Sequence, residues 1–510
     1  MSSHFQPEAA DKLKSGPGLA GLGLNLGDFV EWLKPLAAEP TDPLAVRDGK
    51  VAIKAVTVDS RLVAEGSVFV ALKGENRDGH DFVRTAFEKG AVAAVVGSEW
   101  RRRAALGKNF ENLSPRLMVV NDPVKALGRL ARSVRDRTGA KVAAVTGSVG
   151  KTTVKELLRS IFSSYLSEDE LTATYGNFNN EIGLPLTLLS FGSGTKMGVV
   201  EMGASHFGEI AELTAIARPD VGLVTAAGEA HLEAFGSAAG AARAKGELYA
   251  GLETDASAVI NADDENLRAM GAAFAGRKIY FGFSGGKTSE LSVTVKEIGE
   301  RSLSGQKVVL VSPLFKSGSL TASMKLLGRH NAVNAAAAAA AALAAGAPEE
   351  AVADGLSLAS PFPGRLKACR SRKGFWIMDD CYNANPTSTE AALKFLADLP
   401  PRFVKAAVLG DMLELGGGSQ ASHYRLGRTA GEAGLRYLAL VGDLAGETLK
   451  GARAGGLSAE DSAAVASPEE AAGFIFEKVG RLVPEEVVIL VKGSRGIGLE
   501  KTVVELERLL

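Results

Sequence analysis

Cysteine is scarce: Cys369 and Cys381 are the only two in 510 residues. That excludes a disulfide framework and a Cys-based zinc site, and it points to a reducing compartment in which both thiols are inert. An excess of one charge is also missing. Lys and Arg number 58 against 59 Asp and Glu, a formal charge of -1, so binding to nucleic acid or any other polyanion is not expected. No apolar run reaches the ~20 residues that span a bilayer. The longest weakly apolar stretch, NAVNAAAAAAAALAAG from Asn331 to Gly346, is rich in alanine and reads as a packed helix. At the start, MSSHFQPEAADKLKSGPGLAGLGLN places charges and prolines where a signal peptide needs uninterrupted apolar residues. A cytoplasmic protein with no membrane insertion is the expectation.

Apolar residues make up 46% of the chain and charged residues 23%, the balance of a globular protein with enough length for about three domains. From Val51 to about Val120, short β-type runs (VAIKAVTV, SVFVAL, AVAAVV, RLMVV) surround one helical stretch near Asp81 to Lys89. From Lys141 the pattern is a buried strand, VAAVT, then a glycine turn and the amphipathic helix TTVKELLRSIFSSYL. That order marks a mononucleotide-binding unit. Strands GVVEM, VGLVT and SAVIN alternate with helices after it, and beyond the break SPFPGR the strands FWIMDD, KAAVLG, YLALVG and EVVILVKG do the same. The fold class read from this is α/β in three domains: an N-terminal α/β unit over 46–139 after an unassigned extension (1–45), a central mononucleotide-binding parallel sheet over 140–358, and a C-terminal Rossmann-like doubly wound unit over 359–510.

The strongest local signal is GSVGKTT, Gly147 to Thr153, between strand and helix. Gly147 and Gly150 let backbone N–H groups turn toward phosphate oxygens, Ser148 and Thr153 flank them, Lys151 supplies charge, and the Thr152 hydroxyl suits Mg²⁺. The alternative is a plain connecting turn. The loop is shorter than GxxxxGK[ST] and no NKxD tetrad follows, which favours ATP over GTP. Other candidates carry open alternatives. Asn179 and Asn180 in YGNFNNEIG suit either a ligand or a helix cap. Glu201 ends a buried strand, where it either completes a Mg²⁺ shell or serves a cap. His231 is one of six histidines; Lys245 lies on a helix where a solvated lysine is the ordinary reading. Arg365, Asp380 and Asn383 flank a strand end in FPGRL and DDCYNANPTS, while Asp411, Lys492, Ser494 and Arg495 end other strands on the same expected edge. Several polar strand ends on one edge favour a ligand surface.

Together these strings resemble the Mur ligase family, most closely its members that add D-alanyl-D-alanine, from about Val56 to Lys501. The segment TVDSRLVAEGSVFVALKGENRDGHDF is similar to the family's UDP-sugar region. DDCYNANPTS, GRHNAVNA and LGDMLELG are similar to the D-Ala-D-Ala-adding members, and the DNPR motif of the third-residue ligases is absent. The resemblance implies that Lys151 and Thr152 hold ATP phosphates and Mg²⁺, with Gly147, Ser148, Gly150 and Thr153 around them. It also implies that Glu201 and His231 are magnesium ligands, and that Asn331, Arg365 and Asp380 contact the nucleotide. Lys245 matches a lysine that relatives carbamoylate to bind a second Mg²⁺, which makes Lys151, Lys245 and His231 the catalytic set. Ser60, Arg61, Asn179, Asn180 and Asn383 fall to the substrates, UDP-MurNAc-tripeptide and D-Ala-D-Ala.

The implied chemistry answers a physical problem. A free carboxylate offers an amine no leaving group, so the γ-phosphoryl of ATP is first transferred to it, and phosphate then departs as the amine attacks. Closure of the third domain keeps water from the acyl phosphate. The rivals are a relative acting on the third amino acid or on folate, and a nucleotide-gated scaffold that forms no bond. A monomer is expected.

Overall fold

A computed structural model of the chain describes residues 19–38, 50–104, 116–228, 232–283 and 291–510. Its first sheet has four parallel strands in the order β1 (Ala55–Thr57), β2 (Ser67–Val70), β3 (Ala93–Gly97), β4 (Leu117–Val120). β2, β3 and β4 are buried along their whole length, as parallel strands covered on both faces must be. Side chains alternate across the sheet, so Phe69 and Ala71 enter one apolar cluster while Val68 and Val70 enter the other. The second cluster also holds Leu19, Leu24, Leu26, Phe29 and Leu33. Part of the extension left unassigned by motif is therefore core of the first domain. Its helix α1 (Leu26–Leu33) starts with a capping box between Asn25 and Asp28.

Helix α2 (Pro123–Thr138) opens with Asp122 as N-cap and Pro123 at its first position, and it ends at Gly139 with φ +65°. Its buried residues, Leu127, Leu130 and Val134 among them, join the same cluster as Val142 and Ala144 of the central sheet. The first two domains consequently share one continuous apolar core.

The central sheet has nine strands: β5 (Lys141–Thr146), β6 (Leu171–Ala173), β7 (Met197–Glu201), β8 (Val221–Val224), β9 (Ser257–Asn261), β10 (Arg277–Gly282), β11 (Ser292–Ser302), β12 (Gly305–Val311) and β13 (Ser319–Met324). Their order is β13-β12-β11-β10-β9-β8-β5-β7-β6. Pairing is parallel from β6 across to β11, as expected, but β11, β12 and β13 form an antiparallel edge. β13 alternates exposed and buried residues because one of its faces meets water. Helix α3 (Lys151–Ser163) follows β5, then α4 (Gly183–Leu189), α5 (Ala238–Ala250) and α6 (Arg329–Ala345). α6 is the alanine stretch. Ala335 to Ala342 are fully buried, and their small side chains let the helix lie close to both α3 and the sheet. Among the described residues, no helix is long and apolar enough to cross a membrane.

The third sheet runs β14-β15-β19-β16-β17-β18, with β14 (Lys367–Arg370), β15 (Trp376–Asp380), β16 (Val404–Gly410), β17 (Tyr437–Val441), β18 (Ser462–Val465) and β19 (Val487–Lys492). Only β14 is antiparallel to its neighbour. Because the chain returns to lay β19 between β15 and β16, Asp380 stands directly beside Lys492, and the three strand ends converge on a crevice.

Candidate active site

The loop after β5 is shaped by two glycines. Gly147 has φ +143° and Gly150 φ +85°, and a Cβ on Gly150 would lie 2.7 Å from Asn334 Oδ1. α3 begins at Lys151 with no side-chain cap, so its first-turn N–H groups are left for an anion. Thr225 braces the turn from β8 by donating its hydroxyl to the Val149 carbonyl. Lys151 folds back to donate to the Gly147 carbonyl at 2.6 Å. Burial and the charge of Arg365 lower its ammonium's proton affinity, while Glu201 opposes them. Ser148 Oγ is buried without a partner, and Thr152 and Thr153 are half-buried in the first turn. A loop with an uncapped helix start, a lysine and an unpartnered hydroxyl fits a polyphosphate rather than a plain connection.

Glu201, at the end of β7, is 2% exposed. Its Oε1 accepts from Asn179 Nδ2 at 2.9 Å, and its Oε2 is buried with no partner. A carboxylate oxygen left bare beside a lysine is costly unless a cation completes it. Of the two adjacent asparagines, Asn179 orients Glu201, whereas Asn180 Oδ1 accepts from the Ile182 and Gly183 amides and starts α4. Asn180 thus closes the turn that leads into α4, where Ile182 is the N-cap and no side chain caps the helix. Among the described residues no cluster of three His, Cys, Asp or Glu could hold a metal. One carboxylate and a Thr hydroxyl still suit Mg²⁺, which takes much of its shell from phosphates and water. His231 lies outside the described residues.

Lys245 departs from the ordinary reading of a solvated lysine. It is 1% exposed on α5, where Ala241, Ala242, Ala244 and Gly246 leave room for it. Its Nζ donates to the Ala204 carbonyl at 2.8 Å and lies 5.0 Å from the centre of the Phe235 ring. Burial, reinforced by the charge of Lys151, lowers its pKa to about 7.

At the start of α6, Asn331 is buried, donating to the Leu327 carbonyl at 2.8 Å and accepting from Asn334 Nδ2 at 3.0 Å. Asn334 in turn abuts Gly150, so this helix start braces the phosphate loop. Across from it, Arg365 lies over the Tyr382 ring at 4.3 Å, with its Nε buried and unpartnered. Asp380 pairs with Lys492 Nζ at 2.7 Å and accepts from the Leu366 amide at 3.0 Å. Burial raises its pKa while Lys492 opposes the rise. Asp379 accepts from the Gly364 amide at 2.8 Å, and the Tyr382 amide donates back to the Gly364 carbonyl at 3.1 Å. Asn383 Oδ1 accepts from the Ala384 amide, and its carbonyl accepts from Lys492. Asn385 caps helix α7 (Pro386–Ala397).

Ser60 and Arg61 belong to the turn after β1. Arg61 grips Asp59 through Nε and Nη2, at 2.6–3.0 Å, and the Ser60 carbonyl accepts from Lys89 Nζ. Their polar contacts are thus within the first domain. Cys381 is buried and donates its thiol to Asp379 Oδ1, and burial pushes both it and Cys369 up in pKa, so neither presents a thiolate. Residues that the motifs did not single out include Asn334, Phe235, Tyr382 and His423. The last is fully buried, accepting from the Met412 amide at Nε2 and facing the Ser419 carbonyl at Nδ1. Nothing in its neighbouring residue types marks it.

Three family models match the chain: "Mur ligase family, catalytic domain" over 52–135, "Mur ligase middle domain" over 145–342, and "Mur ligase, glutamate ligase domain" over 364–495. The UDP-N-acetylmuramoyl-tripeptide--D-alanyl-D-alanine ligase of Escherichia coli (strain K12) is 35% identical over 89% of this chain and 93% of its own length. MurF from Acinetobacter baumannii is similar in structure with a TM-score of 0.78 at 33% identity, over 89% of this chain and 94% of that one. The MurF ligase of Thermotoga maritima in complex with ADP gives a TM-score of 0.75 at 28% identity, over 89% and 97%.

Proposed function

Because the chain belongs to the Mur ligase family, we propose that the residues around Gly147–Thr153 are where it couples ATP to amide formation. The protein is the ligase that joins D-alanyl-D-alanine to UDP-N-acetylmuramoyl-tripeptide, forming a C–N bond in a peptidoglycan precursor at the expense of ATP. The observation that carries the site assignment is Glu201, buried with one bare oxygen and electrostatically coupled to Lys151 of an uncapped phosphate loop.

Lys151 and the first-turn amides of α3 orient the triphosphate and hold its terminal group toward the tripeptide carboxylate. Thr152, Glu201 and, at the second position, Lys245 in carbamoylated form would hold Mg²⁺, which supplies charge neutralisation during phosphoryl transfer. Asn179 keeps the Glu201 carboxylate turned to the site. Lys245 is suited to carbamoylation because an amine with a pKa near 7 is substantially neutral in the cell, and only the neutral form attacks CO₂. Asn331, Arg365 and Asp380 face the nucleotide, Ser60 and Arg61 serve the UDP end, and Asn179 and Asn383 lie toward the substrates.

We read the chain as three functional units, 46–139, 140–358 and 359–510, acting as a monomer. Its reduced thiols suit the cytoplasm. The test is to incubate the protein with ATP and UDP-MurNAc-tripeptide and offer D-Ala-D-Ala, diaminopimelate or glutamate. Phosphate release matched one-to-one by a new amide, with the dipeptide alone, is expected. Indifference to the dipeptide refutes the activity, and ATP hydrolysis without product supports a nucleotide-gated scaffold instead.

A further inference from the structure

One hydroxyl ties three strand ends of the third sheet into a single rim. Ser494, 3% exposed just past β19, accepts from the Leu413 amide at 3.0 Å and donates to the Ala384 carbonyl at 3.2 Å. Its own amide donates to the Asp411 carbonyl at 3.1 Å. The next residue on this rim is Arg495, which is exposed.

The Arg495 guanidinium lies 5.5 Å from the centre of the Tyr382 ring, whose centre is also 4.3 Å from the guanidinium of Arg365. Two cations served by one ring stand within about 10 Å of each other. Among the described residues neither makes a close ion pair with a carboxylate: Asp380 is in contact with Lys492, and Arg365 acts on it only at longer range. An anion placed between them would face both cations. Beside Arg495 the Leu413 side chain is 47% exposed, and its Cδ1 would be 3.1 Å from a Cβ at Gly496. A cation next to a small apolar surface, opened by a glycine, matches a short ligand that carries a carboxylate and methyl groups.

We propose that Arg495 binds the terminal carboxylate of the incoming dipeptide while Leu413 and Gly496 receive its methyl group. The assignment rests on the reaction given above. Of the charged groups on D-Ala-D-Ala, the carboxylate alone survives bond formation unchanged, so it is the handle on which a specificity residue can act throughout. The length also fits. A fully extended dipeptide spans at most about 7 Å, so a carboxylate on Arg495 leaves the attacking amine near the Arg365 end of the rim, which is coupled to the phosphate loop through Lys151.

Steady-state kinetics of the full-length protein test this, varying each substrate in turn. In Arg495→Ala the KM for D-Ala-D-Ala should rise about 10- to 100-fold, the usual worth of a hydrogen bond to a charged group, with those for ATP and UDP-tripeptide within about twofold. Arg495→Lys should fall between, keeping the charge but losing the fork. D-alanyl-D-alaninamide should be a poor substrate for the wild type and no poorer for Arg495→Ala. An unchanged dipeptide KM in both variants, an equal loss for all three substrates, or an amide penalty that persists undiminished in Arg495→Ala would each overturn the assignment while leaving the activity standing. A wild type that ignores the dipeptide overturns the activity and this assignment together. Thermal unfolding of both variants at the wild-type temperature is the expected companion result, since Arg495 is exposed.

Discussion

Replacing Lys245 by methionine should stabilise the protein while destroying its activity. The amine has a pKa of about 7 in the folded chain against 10.5 for an ordinary lysine. Between those values the unfolded chain holds a proton that the folded chain releases, so stability rises with pH across that window. The difference corresponds to on the order of 4 kcal/mol of destabilisation, present in full below pH 7 and gone above pH 10.5. Methionine fills a similar volume without charge and loses only the hydrogen bond to Ala204, worth about 1 kcal/mol. A net gain of roughly 3 kcal/mol at pH 7 follows, a rise of about 6–12 °C in the unfolding midpoint of a unit of some 200 residues. Thermal melts in CO₂-free buffer without nucleotide, run on both proteins from pH 7 to 10, provide the assay. The gap should be widest at pH 7 and nearly closed at pH 10. A methionine variant that melts below the wild type at pH 7, or a gap that does not change with pH, would show that Lys245 is not held against its charge.

Lys151→Ala should lower turnover by about 10²- to 10³-fold, as removal of one charge-stabilising donor does elsewhere, with an unchanged melting midpoint; activity within tenfold of wild type would remove the loop from the chemistry. Gly150→Ala should raise the KM for ATP and cost on the order of 1–2 kcal/mol of stability, because φ +85° and the Asn334 carboxamide both oppose a side chain. Gly139→Ala, at φ +65° with open space around it, controls for backbone strain and should leave KM alone. Lys492→Met strands Asp380 as a buried, unpaired carboxylate and should cost about 3–5 kcal/mol near neutral pH. Since burial raises the Asp380 pKa, its folded form favours the proton, and the deficit should shrink as pH falls toward the ordinary carboxylate value. A deficit independent of pH would contradict that account.

The strands that were plain in the sequence are those buried on both faces, such as SAVIN, which forms β9 over the same five residues. The edge hairpins were not. β13, SLTASM, shows its alternation only through Leu, Ala and Met, a weak apolar signal beside the long parallel runs. Likewise α1 carries no chemistry, so motifs passed over it although Phe29 is wholly buried. Within the site, the glycine loop was legible because its chemistry is local. Asn179 and Asn180 were not separable: the same residue type clamps a carboxylate or closes the turn before a helix, and only the direction of the chain decides which. The burial of Lys245 depends on its small neighbours and on Phe235, which folding alone brings over it. Tyr382 acquires its partners in the same way, from Arg365 and Arg495, which lie far from it in the chain.

The fastening at Gly364 sets where the molecule can bend. With its amide on Asp379, its carbonyl under Tyr382 and the Leu366 amide on Asp380, the chain from Gly364 onward is bolted to the third sheet. Helix Glu349–Leu358 and Ala359 belong to the central core, so the link between the two fastened segments is residues 360–363, which include Pro361 and Pro363. Arg365 therefore lies on the third-sheet side of that link. A displacement of the third sheet would carry Arg365, Asp380 and Arg495 as one unit, so the proposed nucleotide contacts and the proposed carboxylate site would reach the phosphate loop together.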